Sequence, residues 1–293
     1  MQWLQFTLHS SREQSPSLEE ALLALGATSV TLEDAQDQPI LEPDIGETPL
    51  WDKTVLKALF PADSDTDLLA GLLRKTVDPL PEHRWELLED KDWSQEWKKY
   101  FQPIKCGEKL WICPSWVAPP EPDSINLSLD PGLAFGTGSH PTTHLCLRWL
   151  DKQELKGKTV IDYGCGSGIL GIAALLLGAE KVFAVDNDPQ ALIATADNAD
   201  RNRIEKENIV TLLPEEVPTG LQGDVMIANI LAGPLIDLSP RLSTMTASGG
   251  LLCLSGILEE QIDSGSAPYR KDFTFQHPQT ESEWVQLSAQ KLP

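Results

Sequence analysis

The stretch Val160-Ile161-Asp162-Tyr163-Gly164-Cys165-Gly166-Ser167-Gly168 decides the fold of this chain. Two β-branched residues lead into an acid, and three glycines follow at alternate positions. Residues 169–177 are apolar and rich in helix formers. This order predicts a strand, a tight glycine turn and the start of a helix. Glycines let the backbone bend sharply, and the N–H groups at a helix start can face a nucleotide-like cofactor.

The spacing of the glycines indicates which cofactor is bound. Dinucleotide-binding folds use G-x-G-x-x-G, whereas Gly164, Gly166 and Gly168 form G-x-G-x-G and Ile169 follows them. Asp162 precedes the first glycine by two positions, where a carboxylate would repel a pyrophosphate but suit a cationic amino-acid moiety. The pattern D-x-G-x-G-x-G resembles motif I of the class I S-adenosyl-L-methionine-dependent methyltransferases. The alternative is an ordinary strand–turn–helix crossover without a ligand.

The next strand ends in a second candidate site residue. Residues 181–185 are apolar, and Asp186 follows them directly. An acid at the end of the second strand of such folds binds the two ribose hydroxyls of a nucleoside, so Asp186 is predicted to contact the cofactor. Asp188 followed by Pro189 is typical of a helix N-cap with proline at the first helical position, which predicts a structural role for Asp188.

Composition limits the class of protein. The chain has 293 residues, of which 41% are hydrophobic, enough for one large or two modest domains with a real core. No apolar run of about 18 residues and no basic leader are found, so neither a membrane span nor a signal peptide is predicted. The five cysteines form no C-x-x-C pair, which favours reduced thiols in a cytoplasm over disulfides or a zinc site.

The net charge of −21 limits the class of partner. Nucleic-acid binders normally carry a basic face, so direct nucleic-acid recognition is not predicted. A strongly acidic chain attracts a basic partner such as a cationic protein, although the charge can equally serve solubility alone.

The first third of the chain predicts a small separate module. Alternating and helical patterns occur in the order β-α-β-β-α-β up to residue 89, which is the order of a ferredoxin-like split βαβ module. Because no catalytic constellation lies there, residues 1–92 are predicted to recognise the substrate. A short helix is predicted over residues 92–101, at the start of a linker. Residues 93–123 are interpreted as this linker helix and a connecting segment. Residues 124–293 are interpreted as the cofactor-binding domain.

A glycine-rich loop precedes the cofactor strand. Residues 130–144 contain three glycines and two prolines and then enter a helix, so the loop can fold over a ligand. His140 and His144 are four residues apart, but Pro141 is expected to start the helix and leave His140 outside it, so no metal site is predicted. The hydroxyl of Thr143 can bond a cofactor group, or it can serve as a helix cap.

Four motifs together resemble one methyltransferase family. They are D-P-G-x-A-F-G-T-G-x-H-x-T-T from Asp130, G-C-G-S-G-I-L from Gly164, D-x-D-P from Asp186 and Asn229-Ile230-Leu231-Ala232. The resemblance is to the family that methylates the eleventh protein of the large ribosomal subunit. It implies S-adenosyl-L-methionine as cofactor and cofactor contacts from the following residues: Thr143, Gly164, Asp186 and Asn229, with Gly166, Phe135 and Gly136 in the same motifs and Asp162 in the D-x-G-x-G-x-G pattern of the class I methyltransferases.

Asn229 is the predicted catalytic residue. It ends the buried strand 223–230 at the sheet edge where open α/β folds bind ligands. Amino-group methyltransferases often have Asn or Asp followed by Pro-Pro here, and the side-chain carbonyl accepts an N–H bond from the target amine. Ile230, Leu231 and Ala232 stand where nucleic-acid adenine methyltransferases have Pro-Pro and an aromatic residue, which stack a flipped base. Their absence argues against an adenine target. The alternative is that Asn229 only caps the next helix.

The sequence therefore predicts an α/β protein with a doubly wound, seven-stranded class I methyltransferase domain after a small ferredoxin-like α+β domain. The expected function is methyl transfer from S-adenosyl-L-methionine to lysine or N-terminal amines of a basic ribosomal protein, free or on the ribosome. The chain is expected to be a cytoplasmic monomer. The alternatives are an RNA or small-molecule methyltransferase and a non-catalytic cofactor-binding assembly module.

Overall fold

The computed structural model describes residues 2–36, 38, 49–75, 77, 79–88, 101–130, 136 and 138–293. The chain divides into two compact units, Met1–Lys98 and Lys99–Pro293. The helix predicted over residues 92–101 falls, except for its last residue, outside the described residues, and so does Phe135.

The first unit is a four-stranded antiparallel sheet with two helices. In chain order its elements are β1 (Trp3–Ser11), α1 (Ser15–Ala24), β2 (Ser29–Asp34), β3 (Lys53–Pro61), α2 (Thr66–Leu73) and β4 (His83–Leu88). The strand order β2-β3-β1-β4 is that of the split βαβ module predicted from the sequence. Alternate residues Leu4, Phe6 and Leu8 of β1 are buried and form a core of their own with residues of both helices.

The second unit begins before the predicted domain boundary. Strands β5 (Ile104–Lys105), β6 (Leu110–Cys113) and β7 (Ile125–Ser128) form a small sheet in which β6 and β7 run parallel. The prediction that residues 93–123 connect two domains is wrong for the part that is described. Leu110 and Ile112 of β6 belong to the same buried cluster as Leu127, so apolar contacts hold this segment in the second unit.

A large mixed sheet forms the centre of the second unit. Its strands are β8 (Thr159–Tyr163), β9 (Lys181–Val185), β10 (Ile209–Leu212), β11 (Gly223–Asn229), β12 (Thr246–Leu258), β13 (Phe273–Phe275), β14 (Gln279–Glu281) and β15 (Trp284–Lys291). The order is β10-β9-β8-β11-β12-β15-β13, with β14 paired to β15. β8 to β12 are parallel, and β15 is inserted antiparallel between β12 and β13. The doubly wound sheet is confirmed, with β14 as an additional strand.

Helices cover the sheet on both faces. They are α3 (Pro141–Leu150), α4 (Ile169–Leu176), α5 (Pro189–Arg201), α6 (Ala232–Asp237), α7 (Ser239–Met245) and α8 (Ile262–Ser266). α6 and α7 are two separate helices that meet at Leu238. Pro240 lies in the first turn of α7, and a proline inside a continuous helix would remove one backbone hydrogen bond and clash with the preceding turn.

Across the part of the chain that is described, none of the helices combines the length and apolar character required to cross a membrane. All five cysteines are buried and unpaired.

Candidate active site

The glycine turn follows β8 and precedes α4. Gly164, Gly166 and Gly168 have φ angles of 78°, 53° and 77°, in the left-handed region that favours glycine. A Cβ atom on Gly164 would collide with Cγ2 of Ile230, the residue after β11. The absence of side chains at these positions therefore lets the backbone bend away from β8 and lets a ligand approach it closely.

Two side chains of α5 form hydrogen bonds to backbone carbonyl groups of this turn. The Thr195 hydroxyl donates to the Gly166 carbonyl at 3.1 Å, and Asn198 Nδ2 donates to the Ser167 carbonyl at 2.9 Å. Both side chains are buried. Sequence reasoning missed these two residues, although two polar side chains three positions apart on one face of a helix would have been a usable signal.

Asp186 lies directly after β9 and next to the glycine turn. Its Oδ2 accepts from Gly166 N–H at 2.9 Å, and its Oδ1 accepts from Asp188 N–H at 3.0 Å. The two bonds fix the carboxylate, while each oxygen keeps a lone pair for a ligand hydroxyl. Asp188 instead caps α5 by accepting from Gln190 N–H at 2.9 Å, which is the structural role predicted for it.

Replacement of Asp186 by alanine should weaken the binding of S-adenosyl-L-methionine by about 2 kcal/mol, roughly thirtyfold in Kd. The variant loses a charged acceptor for ligand hydroxyls and the bond that orients Gly166. Titration calorimetry measures the change. Asp188→Ala is the matched control: it should cost about 1 kcal/mol of stability and leave the Kd unchanged. Wild-type affinity in the Asp186 variant would contradict the assignment.

Asp162 is fully buried in β8. Its Oδ2 accepts from Gly171 N–H in α4 at 2.9 Å, whereas Oδ1 has no hydrogen-bond partner among the described residues. Burial raises the pKa of this carboxyl to about 7; the Gly171 bond opposes that shift and the charge of Asp186 adds to it. A buried carboxylate oxygen without a partner matches the predicted contact with a cationic group.

The pKa of Asp162 leads to a prediction about stability. Between the ordinary carboxyl pKa of about 4 and the folded value of about 7, the folded chain holds a proton that the unfolded chain has released. The free energy of unfolding should therefore fall as the pH rises through this window. Without added cofactor, Asp162→Asn should lose less thermal stability than the wild type between about pH 5 and about pH 8. The exposed control Asp237→Asn should follow the wild type, and parallel curves for all three proteins would refute the prediction.

The predicted loop over the ligand is anchored to the glycine turn at one point that is described. The Ser167 hydroxyl donates to the Gly136 carbonyl at 2.7 Å. Gly136 has a φ of 98°, and a Cβ atom there would lie 2.9 Å from Ser167 Oγ, so only glycine allows this close approach. Gly136 is thus brought to the glycine turn, and its contact with a cofactor stays a prediction.

Asn229 and Thr143 meet at the same edge of the sheet. Asn229 ends β11, and its Nδ2 donates to Oγ1 of Thr143 at 3.3 Å. Thr143 lies in the first turn of α3 and is completely buried. Since the amide N–H₂ is directed to Thr143, Oδ1 remains as an acceptor, and it accepts no bond from another described residue.

The two histidines of the loop have separate structural contacts. His140 caps α3 from outside the helix, as expected from Pro141, and its ring packs edge-on against Trp284 with the centroids 5.1 Å apart. His144 Nδ1 lies 3.1 Å from a Glu281 oxygen. Within the described ranges, no three His, Cys, Asp or Glu side chains are placed to hold a metal ion. Burial raises the pKa of the Cys165 thiol far above its usual range, so the thiol in the glycine turn stays neutral.

These residues fit an S-adenosyl-L-methionine cofactor. The left-handed glycines let a ligand approach the backbone closely, Asp186 is fixed at the end of the second strand, and the unpartnered oxygen of Asp162 suits a cationic group. With the inserted antiparallel strand β15 at the end of a parallel sheet, the fold and site define a class I S-adenosyl-L-methionine-dependent methyltransferase.

The chain belongs to the ribosomal protein L11 methyltransferase (PrmA) family, whose model matches residues 2–292. It is 57% identical over 292 residues to the ribosomal protein L11 methyltransferase of Cellvibrio japonicus, covering 99% of each chain. It is 54% identical to that of Pseudomonas aeruginosa, also over 292 residues and 99% of each chain. The crystal structure of ribosomal protein L11 methylase from Lactobacillus delbrueckii subsp. bulgaricus superposes with a TM-score of 0.60 at 31% identity, covering 66% of this chain and 100% of that one.

Proposed function

We propose that this enzyme transfers methyl groups from S-adenosyl-L-methionine to lysine or N-terminal amino groups of ribosomal protein L11. The observation that carries the proposal is the bond of 3.3 Å between Asn229 Nδ2 and Thr143 Oγ1. Because the amide nitrogen of Asn229 is bonded to Thr143, Oδ1 remains as an acceptor at the carboxyl end of β11, where open α/β sheets bind ligands. A carbonyl oxygen in this place can accept an N–H bond from an attacking amine. The relatives named for L11 methylation supply the substrate.

The cofactor supplies a methyl group that its sulfonium makes electrophilic. The residues of the chain position the cofactor and the target amine relative to each other. The proposed cofactor contacts come from the glycine turn at Gly164 and Gly166, from Asp162 and Asp186, and from Thr143, Asn229, Phe135 and Gly136. An amine attacks only when it is neutral and in line with the methyl group, about 3 Å from it. A lysine ammonium has an ordinary pKa of about 10.4, and desolvation beside a sulfonium favours its neutral form.

The first unit is proposed to recognise the protein substrate. Residues 1–98 contain 8 Lys and Arg against 20 Asp and Glu, a net charge of −12. More than half of the net charge of −21 thus lies in one third of the chain. Such a field attracts a basic protein and speeds its encounter with the enzyme. We propose a monomer that acts in the cytoplasm on L11, free or on the ribosome, without direct recognition of nucleic acid.

Labelled cofactor tests the proposal. The enzyme is incubated with methyl-labelled S-adenosyl-L-methionine and a mixture of ribosomal RNA and all ribosomal proteins, and the labelled species is identified by mass spectrometry. We expect label on amino groups of L11. Label on RNA would contradict the proposed substrate, and cofactor binding without any labelled product would indicate an assembly module.

A further inference from the structure

A polar cavity of about 400 Å³ lies between α3, the strands β14 and β15 and the connection that precedes β14. Its wall includes Arg148 of α3 and Lys152, which follows that helix. The opposite side includes Gln279 of β14, Gln286 of β15 and His277, which precedes β14. It shares no lining residue with the glycine turn, Asp186 or Asn229. Its volume falls within the range of small-molecule sites.

The charge of this cavity is opposite to that of the chain. The charged residues that line it are Arg148 and Lys152, and no described carboxylate does so, although acidic residues outnumber Lys and Arg in the sequence by 44 to 23. The Arg148 guanidinium is paired with Glu281, which lies outside the wall. Lys152 forms no ion pair with any residue in the part of the chain that is described. A lysine left without a counter-ion in a carboxylate-free wall favours an anionic ligand.

The cavity also has an unsatisfied polar group. Gln286 is completely buried; its Nε2 donates to Cys253 Sγ at 3.3 Å, whereas its Oε1 has no hydrogen-bond partner among the described residues. A buried amide oxygen without a partner costs free energy that a ligand donor can recover. The ligand should therefore carry hydrogen-bond donors in addition to its anionic group.

The remaining wall suits a planar polar body. Four glutamines line the cavity, and each planar amide has hydrogen-bonding capacity beyond the bond that it forms within the chain. Such amides match the edge of a nucleobase, and the Trp149 ring in the same wall offers an aromatic surface. An anionic group, a hydrogen-bonding edge and a volume of about 400 Å³ together describe a mononucleotide.

We propose that this cavity is a second ligand site, which binds a small phosphorylated molecule of mononucleotide size. Lys152 and Arg148 hold the phosphate, and the Gln286 carbonyl accepts a bond from the base or sugar. The site is separate from the methyl-transfer site and does not depend on the substrate proposed for that site.

The test is titration calorimetry of the full chain with each of the four common nucleoside monophosphates. Saturating S-adenosyl-L-homocysteine is present throughout, which keeps the nucleotides out of the methyl-donor site. We expect at least one nucleotide to bind with a Kd below about 1 mM, and more than about tenfold more tightly than inorganic phosphate or the corresponding nucleoside. Lys152→Gln should weaken that nucleotide about tenfold.

Lys156→Gln is the matched control, because it removes the same charge from an exposed lysine four positions away that does not line the cavity. It should bind the nucleotide as the wild type does. Gln286→Met, checked by thermal melting, should also weaken binding. The proposal is overturned if no nucleotide binds, if inorganic phosphate binds equally well, or if Lys152→Gln and Lys156→Gln have the same affinity.

Discussion

Replacement of Asn229 by alanine should lower the rate of methyl transfer at least about a hundredfold, the cost of losing alignment of the reacting atoms. Asn229 ends β11 beside the glycine turn, and its amide is oriented by the bond to Thr143. Single-turnover kinetics with saturating cofactor and L11 measure the transfer step, and thermal melts measure folding. If Asn229 served only as a helix cap, the variant would lose about 1 kcal/mol of stability and keep its rate.

Thr143 provides the control for this prediction. Thr143→Val keeps the shape of the buried side chain but removes the oxygen that accepts from Asn229. Its rate should fall between those of the wild type and Asn229→Ala, because the amide is then free to rotate. Thr143→Ser restores the hydroxyl and should recover most of the rate. Equal rates for the valine and serine variants would show that the bond does not orient Asn229.

Removal of Met1–Lys98 should abolish methylation of L11 while cofactor binding stays close to that of the full chain. The described residues that we propose as cofactor contacts all lie in the second unit, and the first unit has a hydrophobic core of its own. The loss is expected because the proposed acidic recognition surface disappears with the first unit. Calorimetry with S-adenosyl-L-methionine checks the fold of the truncated chain, and labelled cofactor with L11 checks its activity.

The salt dependence of the full chain gives an independent measurement of the same role. If the net charge of −12 on residues 1–98 attracts a basic substrate, the KM for L11 should rise with ionic strength. The same salt should change the Kd of the cofactor much less. Full activity of the truncated chain on intact L11, or a KM that salt does not change, would contradict the recognition role.

Local patterns in the sequence determined most of the fold and the edge of the sheet on which the site lies. The strand, glycine turn and α4 follow from residues 160–176, and the ends of β9 and β11 locate Asp186 and Asn229. The caps of α3 and α5 and the strand order of the first unit were also predictable. These features depend on side-chain periodicity and on the φ preferences of glycine and proline, which act over a few neighbouring residues.

Tertiary structure alone decided how these residues are held. Asn229 and Thr143 are 86 positions apart, and their bond depends on the register of β11 and the rotation of α3. The hydrogen bonds from α5 to the glycine turn also join residues that are far apart in the sequence. So do the apolar contacts that place β6 in the second unit. That Asp162 Oδ1 and Gln286 Oε1 have no hydrogen-bond partner among the described residues follows only from the positions of all neighbouring atoms. Contacts between distant elements arise from packing, and no local pattern in the sequence encodes them.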